Sequence, residues 1–467
     1  MQDAWIDATG IAEMIRAGDI SPGEVLDAAI VRAEASHASL NFLTGEMYDR
    51  AKARAKLPVG DGVFAGVPYL LKDMSAVAGE VTGFGSNCTL AAPPAVANSE
   101  AVDSIEQAGF NIFGLTAMSE FGYIPATESV RHGPTLNPWD LSRSPGGSSG
   151  GAGAAVAAGV IPMADAADGG GSIRIPASNC GLFGLKPSRK RLRGEFPTTT
   201  GIDLVVQNPV SVTVRDTANY MVATERSASD ALYPPLEKVE GPSTRRLKVG
   251  WHLNSLRGHR PQREVAAAVI STALLLEQLG HHVEETEWPF DPISLMAAFG
   301  ALWVKGAHDV NASIAELVPG GDLSSILEPY TVTMGQLGPQ VGPEQLAEAT
   351  ATAELCSKQY FDWFDRFDVI ISPVLLTPPV EIGHLDPRVP FEQLSTRIEH
   401  YCDYTMVQNL TGGPAMSVPL GMTAKGLPIG VQFAADLGDD ASLLALAFEL
   451  EQAQPWRDRH PAHWAFA

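Results

Sequence analysis

The chain has 467 residues, 45% of them hydrophobic and 18% charged, with 45 glycines and 34 prolines, which supplies a sizeable core broken by many turns and argues against a disordered chain. Lysine and arginine number 32 against 54 acidic residues, and the resulting formal charge of −22 repels polyanions, which argues against nucleic acid and anionic membrane surfaces as partners. The four cysteines, Cys88, Cys180, Cys356 and Cys402, have no zinc-knuckle or redox spacing and are too sparse for a disulfide framework, which fits a reducing compartment.

In chain order, the opening Met1-Gln2-Asp3-Ala4-Trp5 lacks a basic segment followed by an apolar stretch, and no long uninterrupted apolar window follows, so a cytoplasmic location with no membrane partner is expected. Ser21-Pro22-Gly23-Glu24 has the form of a capping box with proline in the first turn, and Val25, Leu26, Ala29 and Ile30 follow at helical spacing. From Phe64 a short apolar run bounded by turn formers reads as a buried strand ending at Lys72. Helix is expected over 103–108, strand over 110–115 and a small-residue helix over 152–158, an alternation that predicts an α/β fold. A polar, proline-bearing stretch over 227–246 suggests a subdomain junction, followed by strand over 247–251 and an apolar-faced helix over 264–279 closed by Gly280.

Three segments carry chemistry. In Arg143-Ser144-Pro145-Gly146-Gly147-Ser148-Ser149-Gly150-Gly151 the glycines free the backbone around two serines, although such a run alone is more often a flexible linker, and the second alternative, a phosphate loop, lacks its Gly-Lys-Ser/Thr ending. In Asp168-Gly169-Gly170-Gly171-Ser172-Ile173-Arg174-Ile175-Pro176 three glycines precede Ser172 and can aim consecutive N–H groups at one point, as an oxyanion hole requires, or form an ordinary turn. Lys72 closes the apolar run Val67-Pro68-Tyr69-Leu70-Leu71, where lost hydration would make its amine a usable base, unless it snorkels to water.

Together these segments, in this order, resemble the amidase signature family of serine amidohydrolases, and the resemblance continues through Gly184-Leu185-Lys186-Pro187 to the segments around Asn409 and Gly426. It implies an α/β fold with a central mixed twisted sheet covered by helices on both faces. It also implies one domain over 1–467, with a core at about 60–215, a variable substrate-shaping part at about 225–400 and a C-terminal part at 401–467 returning to the core. Carried over by position, it makes Ser172 the nucleophile, Ser148 a bridging serine after a cis Gly147–Ser148 bond, and Lys72 the terminal base. It places the oxyanion hole on Gly169, Gly170, Gly171 and Ser172, with Gly147, Ser149, Asp168 and Arg174 in support. No metal or organic cofactor is called for, and a monomer or homodimer is expected.

Among free-standing members, the chain is most similar to the branch that hydrolyses cyclic amides related to nylon oligomers, aryl amides and urethanes. The substrate expected is therefore a small, largely uncharged amide, lactam, carbamate or ester. Met118, Phe121, Tyr123, Ile124, Leu302 and Trp303 are candidate pocket residues, and are equally suited to a core. Two alternatives stand: a glutamine-hydrolysing subunit of an amidotransferase, and a catalytically silent protein that keeps the fold. The basic run Lys186 to Arg193 reads as a solvated face, and His281-His282, just past a helix end, as solvated caps.

Overall fold

Ser21 starts the helix Pro22–Leu40 by the reciprocal device its sequence predicts: its Oγ accepts the Glu24 N–H at 3.2 Å while the Glu24 carboxylate accepts the Ser21 N–H at 2.9 Å. The computed structural model describes residues 6–466 other than 195, 197, 227, 228 and 319. The opening pentapeptide and Ser227, the first residue of the polar stretch, lie outside the described residues. The apolar run after Phe64 becomes the strand Pro68–Lys72, buried throughout, which runs parallel to Asn111–Thr116; the far edge of that strand pairs antiparallel with Leu43–Glu46. The next helix spans Glu100–Gln107, beginning earlier than its apolar pattern because the Ser99 Oγ accepts the Val102 N–H. The small-residue helix spans Gly150–Ala157 and the apolar-faced one Arg263–Gln278.

The central sheet has eight strands in the order His282–Glu285, Lys248–Trp251, Val369–Pro373, Pro428–Ala434, Ala415–Met422, Phe183–Lys186, Val210–Ser211, Met163–Ala164. The first three are mutually parallel and the remaining pairings antiparallel, so the sheet is mixed. Side chains alternate across its middle strands. Met416, Val418, Val431 and Phe433 join the core built with Val265, Val269 and Leu446, from the helices Arg263–Gln278 and Asp440–Ala453. Ser417, Gly430 and Gln432 point the other way, to the helix Arg174–Cys180, where the Gly430 N–H donates to Ser178 Oγ at 2.9 Å. A Cβ on Gly430 would lie 2.8 Å from that of Ser178, so glycine in the strand is what lets this helix, which follows Ser172, lie flat on the sheet.

Two surface expectations are corrected. Two members of the basic run are buried, Lys186 at 1% and Arg191 at 3% exposed, while Arg189, Lys190 and Arg193 stay partly exposed. Arg191 donates to Asp440 Oδ2 at 3.2 Å, Glu225 Oε1 at 2.8 Å and two main-chain carbonyls, while Arg189 holds the carbonyls of Asp203, Asn409 and Leu410. Arg191 is neutralised by acids distant in sequence and the Lys186 amine donates to the Pro187 carbonyl, so the density of basic residues says nothing of exposure. Of the two histidines, His282 is exposed as expected but His281 is buried, with Nδ1 accepting the Leu247 N–H and Nε2 3.0 Å from Glu449.

Among the described residues, no helix is long and apolar enough to cross a membrane.

Candidate active site

Lys72 ends a strand whose sheet position carries its side chain inward, and only 1% of it is exposed. Its Nζ lies 2.8 Å from Ser148 Oγ and 3.2 Å from the Ala167 carbonyl oxygen. Burial strips the amine of hydration and brings Lys72 down to about 7, against the opposing pull of Asp165 and Asp168.

Ser148 reaches this lysine from the loop before the helix Gly150–Ala157, and the peptide bond between Gly147 and Ser148 is cis. Thr127, which the sequence did not single out, pins the loop: its hydroxyl donates to the Gly146 and Ser148 carbonyls and accepts the Gly150 N–H at 2.9 Å. A Cβ on Gly147 would lie 2.5 Å from the Ala126 nitrogen, so only glycine allows the two chains to pass so closely. Ser149 turns away from the cavity and exchanges hydrogen bonds with the main chain of Ala167.

The loop bearing Ser172 is organised by Asp168 and Arg174, both fully buried. Arg174 donates Nε to Asp168 Oδ2 at 2.9 Å and Nη2 to Oδ1 at 3.0 Å, and its remaining donors go to Gln408, Asn409 and Gln432. Burial alone would push the Asp168 carboxyl up; the Arg174 guanidinium and the Asn409 amide outweigh it and bring Asp168 down to about 2. Asp168 also accepts the N–H groups of Gly171 at 2.7 Å and Ile173 at 3.2 Å, so Gly171 points its N–H into the loop's own scaffold rather than at the cavity. That leaves Gly169, Gly170 and Ser172 of the expected oxyanion donors. The Ser172 hydroxyl has no hydrogen-bond partner among the described residues and opens on a cavity of about 280 Å³.

The cavity wall is mainly apolar and aromatic. Tyr123 and Trp303 line it, edge to face with ring centroids 5.6 Å apart, as do Phe299, Met296, Tyr330 and Phe391, with Arg257 and Glu399 as its charged members. The other expected pocket residues do not line it: Met118, Ile124 and Leu302 are buried in packing, and Phe121 stacks on Phe84. On the helix Pro292–Leu317, Phe299 and Trp303 are four residues apart and share the cavity face, whereas Leu302 lies to one side.

The Amidase family model matches residues 24–444. A protein named AmiC from Mycobacterium leprae (strain TN) is 37% identical over 453 residues, which cover 97% of this chain and 96% of that one. The solved structure of 6-aminohexanoate cyclic dimer hydrolase complexed with substrate superposes with a TM-score of 0.90 at 30% identity, covering 99% of each chain. A bacterial aryl acylamidase of the amidase signature enzymes superposes with a TM-score of 0.85 at 27% identity, covering 97% of each. Shared over nearly its whole length, with the mixed sheet and its helices in common, this likeness identifies the chain as a member of the amidase family, the amidase-signature hydrolases that act on carbon–nitrogen bonds of amides.

Proposed function

We propose that the chain, as one folded unit, hydrolyses a small, largely uncharged amide or lactam with an apolar or aryl acyl part, through Ser172, Ser148 and Lys72. Two observations carry this reading together: the 2.8 Å contact between the Lys72 amine and the Ser148 hydroxyl, and the opening of Ser172 on an apolar cavity. Neutral Lys72 takes the Ser148 proton as Ser148 takes that of Ser172, and the Ser172 oxygen bonds to the substrate carbonyl carbon. The N–H groups of Gly169, Gly170 and Ser172 hold the resulting oxyanion. The proton on Lys72 then passes back through Ser148 to the leaving nitrogen as the C–N bond breaks; water repeats the cycle on the acyl-enzyme and releases the carboxylic acid. Carbamates and esters present the same carbonyl and belong to the same reading.

Because the amine must be neutral to accept the proton, kcat/KM is expected to be low in acid, to rise with pH through about 7 and to level off above it. A profile falling through that range would assign the essential group to an acid instead. Trp303→Ala is expected to lower kcat/KM on benzamide by about 10–200-fold while changing acetamide little, the value of one apolar contact in a pocket; equal losses on both would remove Trp303 from the acyl site.

The decisive test is labelling with an alkyl fluorophosphonate, peptide mapping of the adduct, and amine release from matched anilide, lactam, carbamate and ester substrates. A stoichiometric adduct on Ser172 with cleavage of at least one amide is expected. An adduct elsewhere overturns the nucleophile. Ammonia release from glutamine alone moves the reading to an amidotransferase subunit, which the apolar cavity wall argues against.

A further inference from the structure

A second acid lies beneath the site and has no part in the chemistry above. Asp165, fully buried, sits between the strands Met163–Ala164 and Ala167–Asp168. Its N–H donates to the Leu70 carbonyl at 2.9 Å and its Oδ2 accepts the Lys72 N–H at 3.1 Å. Both its oxygens accept the Gln207 amide at 2.9 Å, and that amide also donates to Ser75 Oγ. Two residues on, the Ala167 carbonyl takes a hydrogen bond from Lys72 Nζ. The short stretch 165–168 therefore grips Lys72 at its main chain and at its tip, then begins the loop that carries Ser172.

We propose that Asp165 is a positioning residue for Lys72: it anchors the lysine's main chain below Ser148, and its buried carboxyl tunes the amine as a proton acceptor. The inference rests on Lys72 being the base. A carboxylate this deep is costly unless a cation or hydrogen bonds answer it, and here the answer is the Gln207 amide, main-chain N–H groups and the Lys72 charge. Burial pushes Asp165 up to about 7, the value to which burial brings Lys72 down, so each group's proton is sensitive to the other's. The other groups nearby are accounted for. Asp168 also acts on the amine, but its charge is committed to Arg174. Tyr69 and Tyr220 face Asp165, and burial pushes both well above the usual phenol range, leaving them uncharged.

An anion near the amine favours its charged form, so removing that charge lets Lys72 become neutral at lower pH. The readout is the pH dependence of the rate at which an alkyl fluorophosphonate modifies Ser172 in the full-length protein. Asp165→Asn retains an oxygen for the Lys72 N–H and is expected to move the acid limb of that profile down by about one pH unit, the lower end of the effect of a close opposite charge. Gln207→Met leaves the charge count unchanged but removes the donor that favours ionised Asp165, and is expected to move the limb the same way by less. A purely structural Asp165 would lower the melting temperature and the plateau while leaving the limb in place. An unmoved limb in both variants overturns the role of Asp165. Lys72→Met, run alongside, isolates the underlying reading: labelling that survives there overturns Lys72 as the base, whatever Asp165 does.

Discussion

Ser172→Ala, Ser148→Ala and Lys72→Met are each expected to lower kcat on a cleaved amide by about three or more orders of magnitude, with KM changed little. In the proposed mechanism the three side chains act as one unit. Without Ser172 there is no atom to acylate; without Ser148 the amine at 2.8 Å from its hydroxyl has no path to the nucleophile; without Lys72 the proton has no base. Pairing any two of these changes is therefore expected to cost little beyond the worse single one. Steady-state kinetics on the singles and doubles checks this, and losses that simply multiply would mean that the groups work independently. Methionine at 72 fills most of the lysine's buried volume, and thermal melts of each variant separate lost chemistry from lost folding.

Arg174→Met is expected to destabilise the fold by about 3–5 kcal/mol, the cost of leaving one member of a buried ion pair unanswered. The guanidinium is more than a counter-charge: it meets Asp168 through two donors and Gln408, Asn409 and Gln432 through the rest, so its loss strands polar groups on three segments together. Asp168→Asn combined with Arg174→Met removes both charges and is expected to recover part of the loss in urea or thermal denaturation. Stability has a matching pH signature. Asp168 is held at about 2 when folded, so its contribution is fully present above the ordinary carboxylate range near 4 and is lost as pH falls from there toward 2. In the double variant this part of the acid transition is expected to disappear.

The elements decided by local chemistry were readable in advance. The Ser21–Glu24 capping box and the strand ending at Lys72 rest on neighbours within a few residues, and the motifs around Ser148 and Ser172 carry their own backbone requirements. What was misread depends on residues far along the chain. The basic run from Lys186 looked exposed because the acids that neutralise Arg191, Glu225 and Asp440, lie well downstream. His281 looked like a cap because Glu449 was out of sight. The pocket was read in part, Tyr123 and Trp303 lining it and the other four not, for a geometric reason: neighbouring apolar residues on one helix, Leu302 and Trp303, are alike in hydropathy and differ in direction, which only the packed helix settles. Gly171 differed from its neighbours because a main-chain N–H leaves no trace in the residue's identity, and Thr127 and Asp165 act through partners that no short motif contains.

The reach of Arg174 also bears on how the protein is made. Its partners at Gln408, Asn409 and Gln432 are translated more than two hundred residues after it. A ribosome that has passed Arg174 has already polymerised Lys72, Ser148 and Ser172, and Arg174 can pair with Asp168, but the three amides that take the rest of the guanidinium's donors are still to come. On the proposed mechanism, hydrolytic activity is expected only once the strand holding Gln432 has entered the middle of the sheet.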